Sequence, residues 1–124
     1  MPNTNIKKGG IIFREGDEPD GVYYLCEGRV RVTKNVAGQE ITLAEMEPGD
    51  IFGELAMVGE SPRSATVTAL EDCWVYKFSP ESFKKKLQSM DSFMYTMLIA
   101  LVLTIRNQNR KISELLEMLR NNQN

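Results

Sequence analysis

One stretch of this sequence gathers groups complementary to a small phosphorylated sugar: Phe52-Gly53-Glu54-Leu55-Ala56-Met57-Val58-Gly59-Glu60-Ser61-Pro62-Arg63-Ser64-Ala65-Thr66-Val67. Gly53 follows a strand and precedes a short helix-forming run, which leaves backbone N–H groups unpaired at the helix start. Without a Cβ, Gly53 also lets a ligand approach the main chain. Arg63, flanked by Pro62 and small residues, carries a guanidinium able to give two parallel hydrogen bonds to phosphate oxygens. The Ser64 hydroxyl and the backbone around Ala65 add donors. Glu54, which only accepts when ionised, suits a sugar hydroxyl and not a phosphate. Singly these residues are unspecific, since a Glu at a helix start commonly caps the dipole and an Arg commonly forms a surface ion pair. Their combination in one loop points to a ribose phosphate.

Chemistry on such a ligand is not expected. The sequence contains no histidine, which removes the commonest general base and the commonest transition-metal ligand. Ser61 and Ser64 therefore lack a base, no catalytic residue is assigned, and a metal-dependent cupin, with its imidazole-built site, is disfavoured. No metal site and no cofactor are expected. Asp17, Glu18 and Asp20 lack the alternation and distal Glu of a calcium loop and read as a solvated turn. Cys26 and Cys73 lie in apolar, strand-like sequence without metal-ligand spacing and read as reduced core residues, a disulfide being the alternative.

The elements that must hold these groups follow from pattern. At 124 residues, 42% hydrophobic and 26% charged, the chain suits one domain spanning 1–124. A net charge of -2 gives no footprint for nucleic acid, and Lys84-Lys85-Lys86 reads as a solvated helix face. No apolar stretch follows the first charges, so no signal peptide is expected and the location reads as cytoplasmic. From about 10 to 78, β-rich runs at 11–14, 22–27, 30–34, 40–46, 65–70 and 74–78 alternate with turns rich in Gly and Pro. That is the signature of an all-β roll or barrel. In Arg29-Val30-Arg31-Val32 the valines point inward.

Two helices close the chain. Ser79-Pro80-Glu81 supplies a cap and a first-turn proline for a hinge helix at about 80–88. A second, the C-helix, runs from about 91 to 120, capped by Asp91 or Ser92. Its first half, 93–105, is apolar almost all round but shorter than a bilayer span, so no membrane partner is expected. A seam spaced alternately four and three runs through Met94, Leu98, Leu101, Ile105, Gln108, Ile112, Leu115 and Leu119. It predicts a homodimer through this helix, the alternative being a helix folded back on its own roll.

The segment from Phe52 to Val67 resembles the phosphate-binding cassette of the cyclic nucleotide-binding domain family, with its F-G-E-L-A and P-R-x-A-T-V runs. Residues 15–25 and 27–32 resemble the family's opening strands, and Glu47-Pro48-Gly49-Asp50 its turn into the cassette. The last two helices look like the hinge and C-helix of catabolite activator relatives. The resemblance implies a mainly β fold, a β-roll or jelly roll (double-stranded β-helix) with a short cassette helix and a long C-terminal helix. It further implies a regulatory sensor whose ligand is cAMP, with cGMP also open because Ser64 follows the arginine. Glu54 would hold the ribose 2′-hydroxyl and Arg63 the exocyclic phosphate oxygens. Ser64, Ala56, Thr66 and the backbone of Gly53, Leu55 and Ala65 would complete the cradle. Val32, Leu43 and Met46 would wall the sugar and base, and Gln108 and Asn109 would lie over the base.

The short sequence before Ile11 implies that the family's amino-terminal helix is reduced or missing. No output segment follows the C-helix, so a separate effector protein is the expected receiver of the signal. The competing reading is a module that keeps the roll without a ligand and uses its C-helix to dimerise or dock.

Overall fold

A computed structural model describes residues 3–58 and 61–121, apart from the side chains of Leu55, Val58, Ser113, Arg120 and Asn121. Its strands are β1 (Asn3–Ile6), β2 (Ile11–Phe13), β3 (Val22–Glu27), β4 (Val30–Val36), β5 (Gln39–Met46), β6 (Ile51–Phe52), β7 (Thr66–Ala69) and β8 (Cys73–Phe78). They form two four-stranded antiparallel sheets, ordered β1-β8-β3-β6 and β2-β7-β4-β5. This is the jelly-roll solution to an all-β chain. Three helices, α1 (Glu54–Val58), α2 (Pro80–Gln88) and α3 (Ser92–Asn121), complete a mainly β fold with a long C-terminal helix.

Alternation along the strands builds the core. Leu25 and Val75 from one sheet meet Val30 and Val67 from the other, all with essentially no exposure. Each such side chain stabilises the fold by roughly 1.5–3 kcal/mol relative to exposure. Cys73 is buried among them, Cys26 is half-buried, and both are free thiols.

Two strands depart from expectation. The roll begins at β1 rather than near residue 10, because Asn3–Ile6 is a polar segment held by pairing with β8 and has no local β signal. The two-residue β6 likewise exists only through its pairing with β3. In β5 a bulge opposite Val32 and Thr33 leaves Leu43 outside the one-to-one ladder.

The helix starts follow local chemistry. The Ser79 hydroxyl accepts the Ser82 N–H at 3.2 Å with Pro80 in the first turn, and Asp91 accepts the N–H groups of Phe93 and Met94. Helix α3 rests on α1 and β4 and buries Val102. Over its 30 residues it extends about 45 Å, farther than a small roll can cover. Leu101, Ile105, Ile112, Leu115 and Leu119 are exposed in consequence, the last by 61%. Leu98 is half-buried and Met97 exposed, so the free seam passes through Met97 rather than Leu98 at that turn. Among the described residues no helix is long and apolar enough to cross a membrane.

Candidate functional site

Arg63 is the centre of the site, and it is 2% exposed. Its backbone is pinned to the β2–β3 loop from both sides, Arg63 N–H donating to Asp17 O and Gly16 N–H to Arg63 O, each at 2.8 Å. The guanidinium turns inward. Nη1 donates to Gly53 O at 2.7 Å, and Nη2 donates to Gly21 O at 2.7 Å and to Asp20 Oδ1 at 2.9 Å. Its carbon lies 3.9 Å from the centre of the Phe13 ring, a cation–π contact. Phe13, Tyr23 and Phe52 form an aromatic cluster beneath it, with Tyr23 and Phe52 stacked at 5.3 Å.

A buried cation needs a counter-charge, and Asp20 supplies it. The solvated-turn reading fails for this residue, which also accepts from Tyr23 Oη and Lys77 Nζ, each at 2.9 Å. Burial alone would raise the Asp20 carboxyl. Hydrogen bonds from Lys77, Tyr23 and Arg63, with the Lys77 charge, together outweigh that and hold it below its ordinary value. Tyr23 is pushed well up, by burial and then by its bond to Asp20.

Arg63 Nε is buried and has no hydrogen-bond partner among the described residues. It belongs to a side chain that lines a pocket of about 100 Å³ together with Val32, Met46, Gly53, Glu54, Ala56, Ser64 and Ala65. Phe13, Phe52 and Val67 complete the lining. Gly53 has φ +84°, and a Cβ built there would lie 2.7 Å from Arg63 Nη1, so the turn and the guanidinium both require glycine. Burial pushes the Glu54 carboxyl above its ordinary value; its own backbone N–H and the Arg63 charge pull it down less strongly.

The structure does not bring every expected residue here. Leu43 is 43% exposed, stands outside the one-to-one ladder, and is not among the residues that line the pocket. The Thr66 hydroxyl accepts the Glu15 N–H at 2.9 Å and is turned from the pocket. Gln108 and Asn109 are exposed on α3 and do not line the pocket. The Leu55 side chain lies outside the described residues. Sequence reasoning missed Phe13, Asp20 and Gly21. The usable signal was physical: an arginine placed among apolar residues must find an anion and carbonyls nearby.

A sequence model described as "Cyclic nucleotide-binding domain" matches residues 3–90. The chain belongs to this family. The family is a regulatory binding domain, although some of its structural neighbours carry it within enzymes. The Dictyostelium discoideum cAMP-dependent protein kinase regulatory subunit is 41% identical over 54% of this chain and 22% of that protein. The cyclic AMP receptor protein of Thermus thermophilus is 41% identical over 52% of this chain and 31% of its own length. The chain thus matches about a fifth to a third of these relatives. The EAL enzyme Bd1971, in its cAMP and cyclic-di-GMP bound form, superposes with TM-score 0.84 at 31% identity, covering 99% of this chain and 33% of that one. The catabolite activator protein of Thermus thermophilus gives TM-score 0.68 at 28% identity, over 96% of this chain and 55% of that one.

Among the described residues no cluster of carboxylates and thiols could hold a metal ion. A larger groove of about 560 Å³ lies between α1, α2 and the start of α3, and contains none of the groups expected to hold a nucleotide.

Proposed function

We propose that this chain is a cytoplasmic sensor module that binds a cyclic nucleoside monophosphate, cAMP by preference, and passes its occupancy to a dimer partner and a separate effector through α3. The observation that carries the reading is the orphaned Nε of a fully buried arginine on the wall of a pocket. A buried donor left unpaired costs about 1–3 kcal/mol, which an anion would recover. Glu54 on the same wall is the acceptor for a ribose hydroxyl, and Gly53, Ser64 and Ala65 supply backbone and hydroxyl donors. The pocket is smaller than the roughly 300 Å³ at which ligand sites begin. Phosphate and sugar therefore fill it, and the base stands outside on Val32 and Met46. Two relatives named for cAMP support the choice of base.

The dimer rests on the unpartnered seam of α3. In heptad terms Ile105 and Ile112 occupy one seam position and Leu101 and Leu115 the other, the combination that favours two parallel strands. Calorimetric titration with cAMP, cGMP and non-cyclic 5′-AMP tests the assignment. The two cyclic ligands are expected to bind, cAMP more tightly, and 5′-AMP at least about tenfold more weakly because its dianionic phosphate exceeds one guanidinium. No heat with either cyclic ligand would leave only the scaffold reading.

A further inference from the structure

The groove between the helices lies outside the nucleotide pocket, and its lining has a distinct chemistry. Met57 of α1, Leu87 of α2, Met90 of the α2–α3 link and Tyr95 of α3 give it an apolar floor. Lys84 stands on its wall, with Lys85 and Lys86 exposed beside it. None of these lysines pairs with a carboxylate among the described residues. Asp91, between the groove residues Met90 and Ser92, is already engaged in capping α3. The terminal position of Lys85 and Lys86 on α2 answers its helix dipole, but that does not account for Lys84 facing the groove.

We propose that this groove receives an acidic amphipathic helix from a separate polypeptide. Lys84 over an apolar floor, with Lys85 and Lys86 beside it, selects a partner with apolar anchors on one face and carboxylates beside them. Methionine side chains deform to fit such anchors, and two of the floor residues are methionines. At about 560 Å³ and open to solvent, the groove has room for several side chains. A second copy joined along the α3 seam does not cover it. Tyr95 and Thr96 lie on a different face of α3 from Met97 and Leu101, at about 100° per residue.

The test uses the full chain without nucleotide and two fluorescein-labelled helical peptides of about 16 residues, some four turns each. Both carry Leu at i, i+3, i+4 and i+7 repeats; one has Glu at its polar positions and the other Lys. Fluorescence anisotropy is expected to show the Glu peptide binding at least about tenfold more tightly, with Lys84→Glu weakening it at least about fivefold. Ile112→Asp, on the seam, is expected to leave it unchanged. Equal binding of the two peptides, no binding of either, or a loss caused by Ile112→Asp and not by Lys84→Glu would each overturn the proposal. Because nucleotide is absent, none of these outcomes bears on the cyclic nucleotide reading.

Discussion

Replacing Arg63 with alanine is expected to destabilise the protein in the absence of any ligand. The side chain is 2% exposed and ties its own loop to two other segments: the β6–α1 turn through Gly53 O, and the chain just before β3 through Gly21 O and Asp20. Each hydrogen bond from a charged donor to a buried carbonyl contributes about 1.5–3 kcal/mol. The Asp20 carboxylate is half-exposed and keeps Lys77 and Tyr23, so its share is held to no more than about 1 kcal/mol. Together these sum to about 3–7 kcal/mol, and the expected loss is in the lower part of that range, about 3–5 kcal/mol, as for removing one member of a buried polar cluster. Urea unfolding of the ligand-free wild type and of Arg63→Ala measures it directly. Arg63→Lys keeps the charge but cannot reach all three acceptors and should fall between them. If Arg63→Ala unfolds within about 1 kcal/mol of wild type, the arginine is held for ligand alone and its inward bonds have no structural weight.

Glu54→Gln addresses the sugar. Because the free carboxyl titrates above its ordinary value, cAMP binding in the mildly acidic range should release a proton, seen as a calorimetric enthalpy that varies with buffer, and affinity should rise with pH. The glutamine variant should lose both effects, and a wild type with no proton release there would exclude Glu54 from the contact. Asp20 has the opposite sign: its carboxyl lies below the unfolded value, so its stabilisation is present at neutral pH and lost as acid protonates it. Asp20→Asn should accordingly be less stable than wild type at neutral pH and converge with it in acid, as read by thermal melts across pH. Gly53→Ala should cost at least about 1–2 kcal/mol from the left-handed backbone alone, and an unchanged melting temperature would contradict the close approach to Arg63. Ile112→Asp with Leu119→Asp should give monomers by ultracentrifugation; a monomeric wild type, with and without cAMP, would refute the parallel dimer.

What the sequence determined by itself is whatever neighbours along the chain decide. β3 occupies the β-rich run read between turn residues, Val22–Glu27, and α2 begins where Ser79 and Pro80 direct it. The cassette was legible because Gly53, Glu54, Arg63 and Ser64 sit within one short loop, so local composition announces the ligand chemistry. Tertiary structure decided the rest. Asp20 reaches Arg63 across 43 positions because β3 pairs with β6 and β2 with β7, the strands on either side of the cassette. A bulge that no residue type announced takes Leu43 out of the one-to-one ladder, and the Thr66 hydroxyl accepts from the distant Glu15 backbone. Strand pairing also created β1 from a polar segment. Helical spacing could name the apolar residues of α3, but the face resting on the roll is chosen where Val102 meets the rest of the fold. These outcomes depend on contacts distant in sequence, whose energies are set by which surfaces meet and not by the residues on either side.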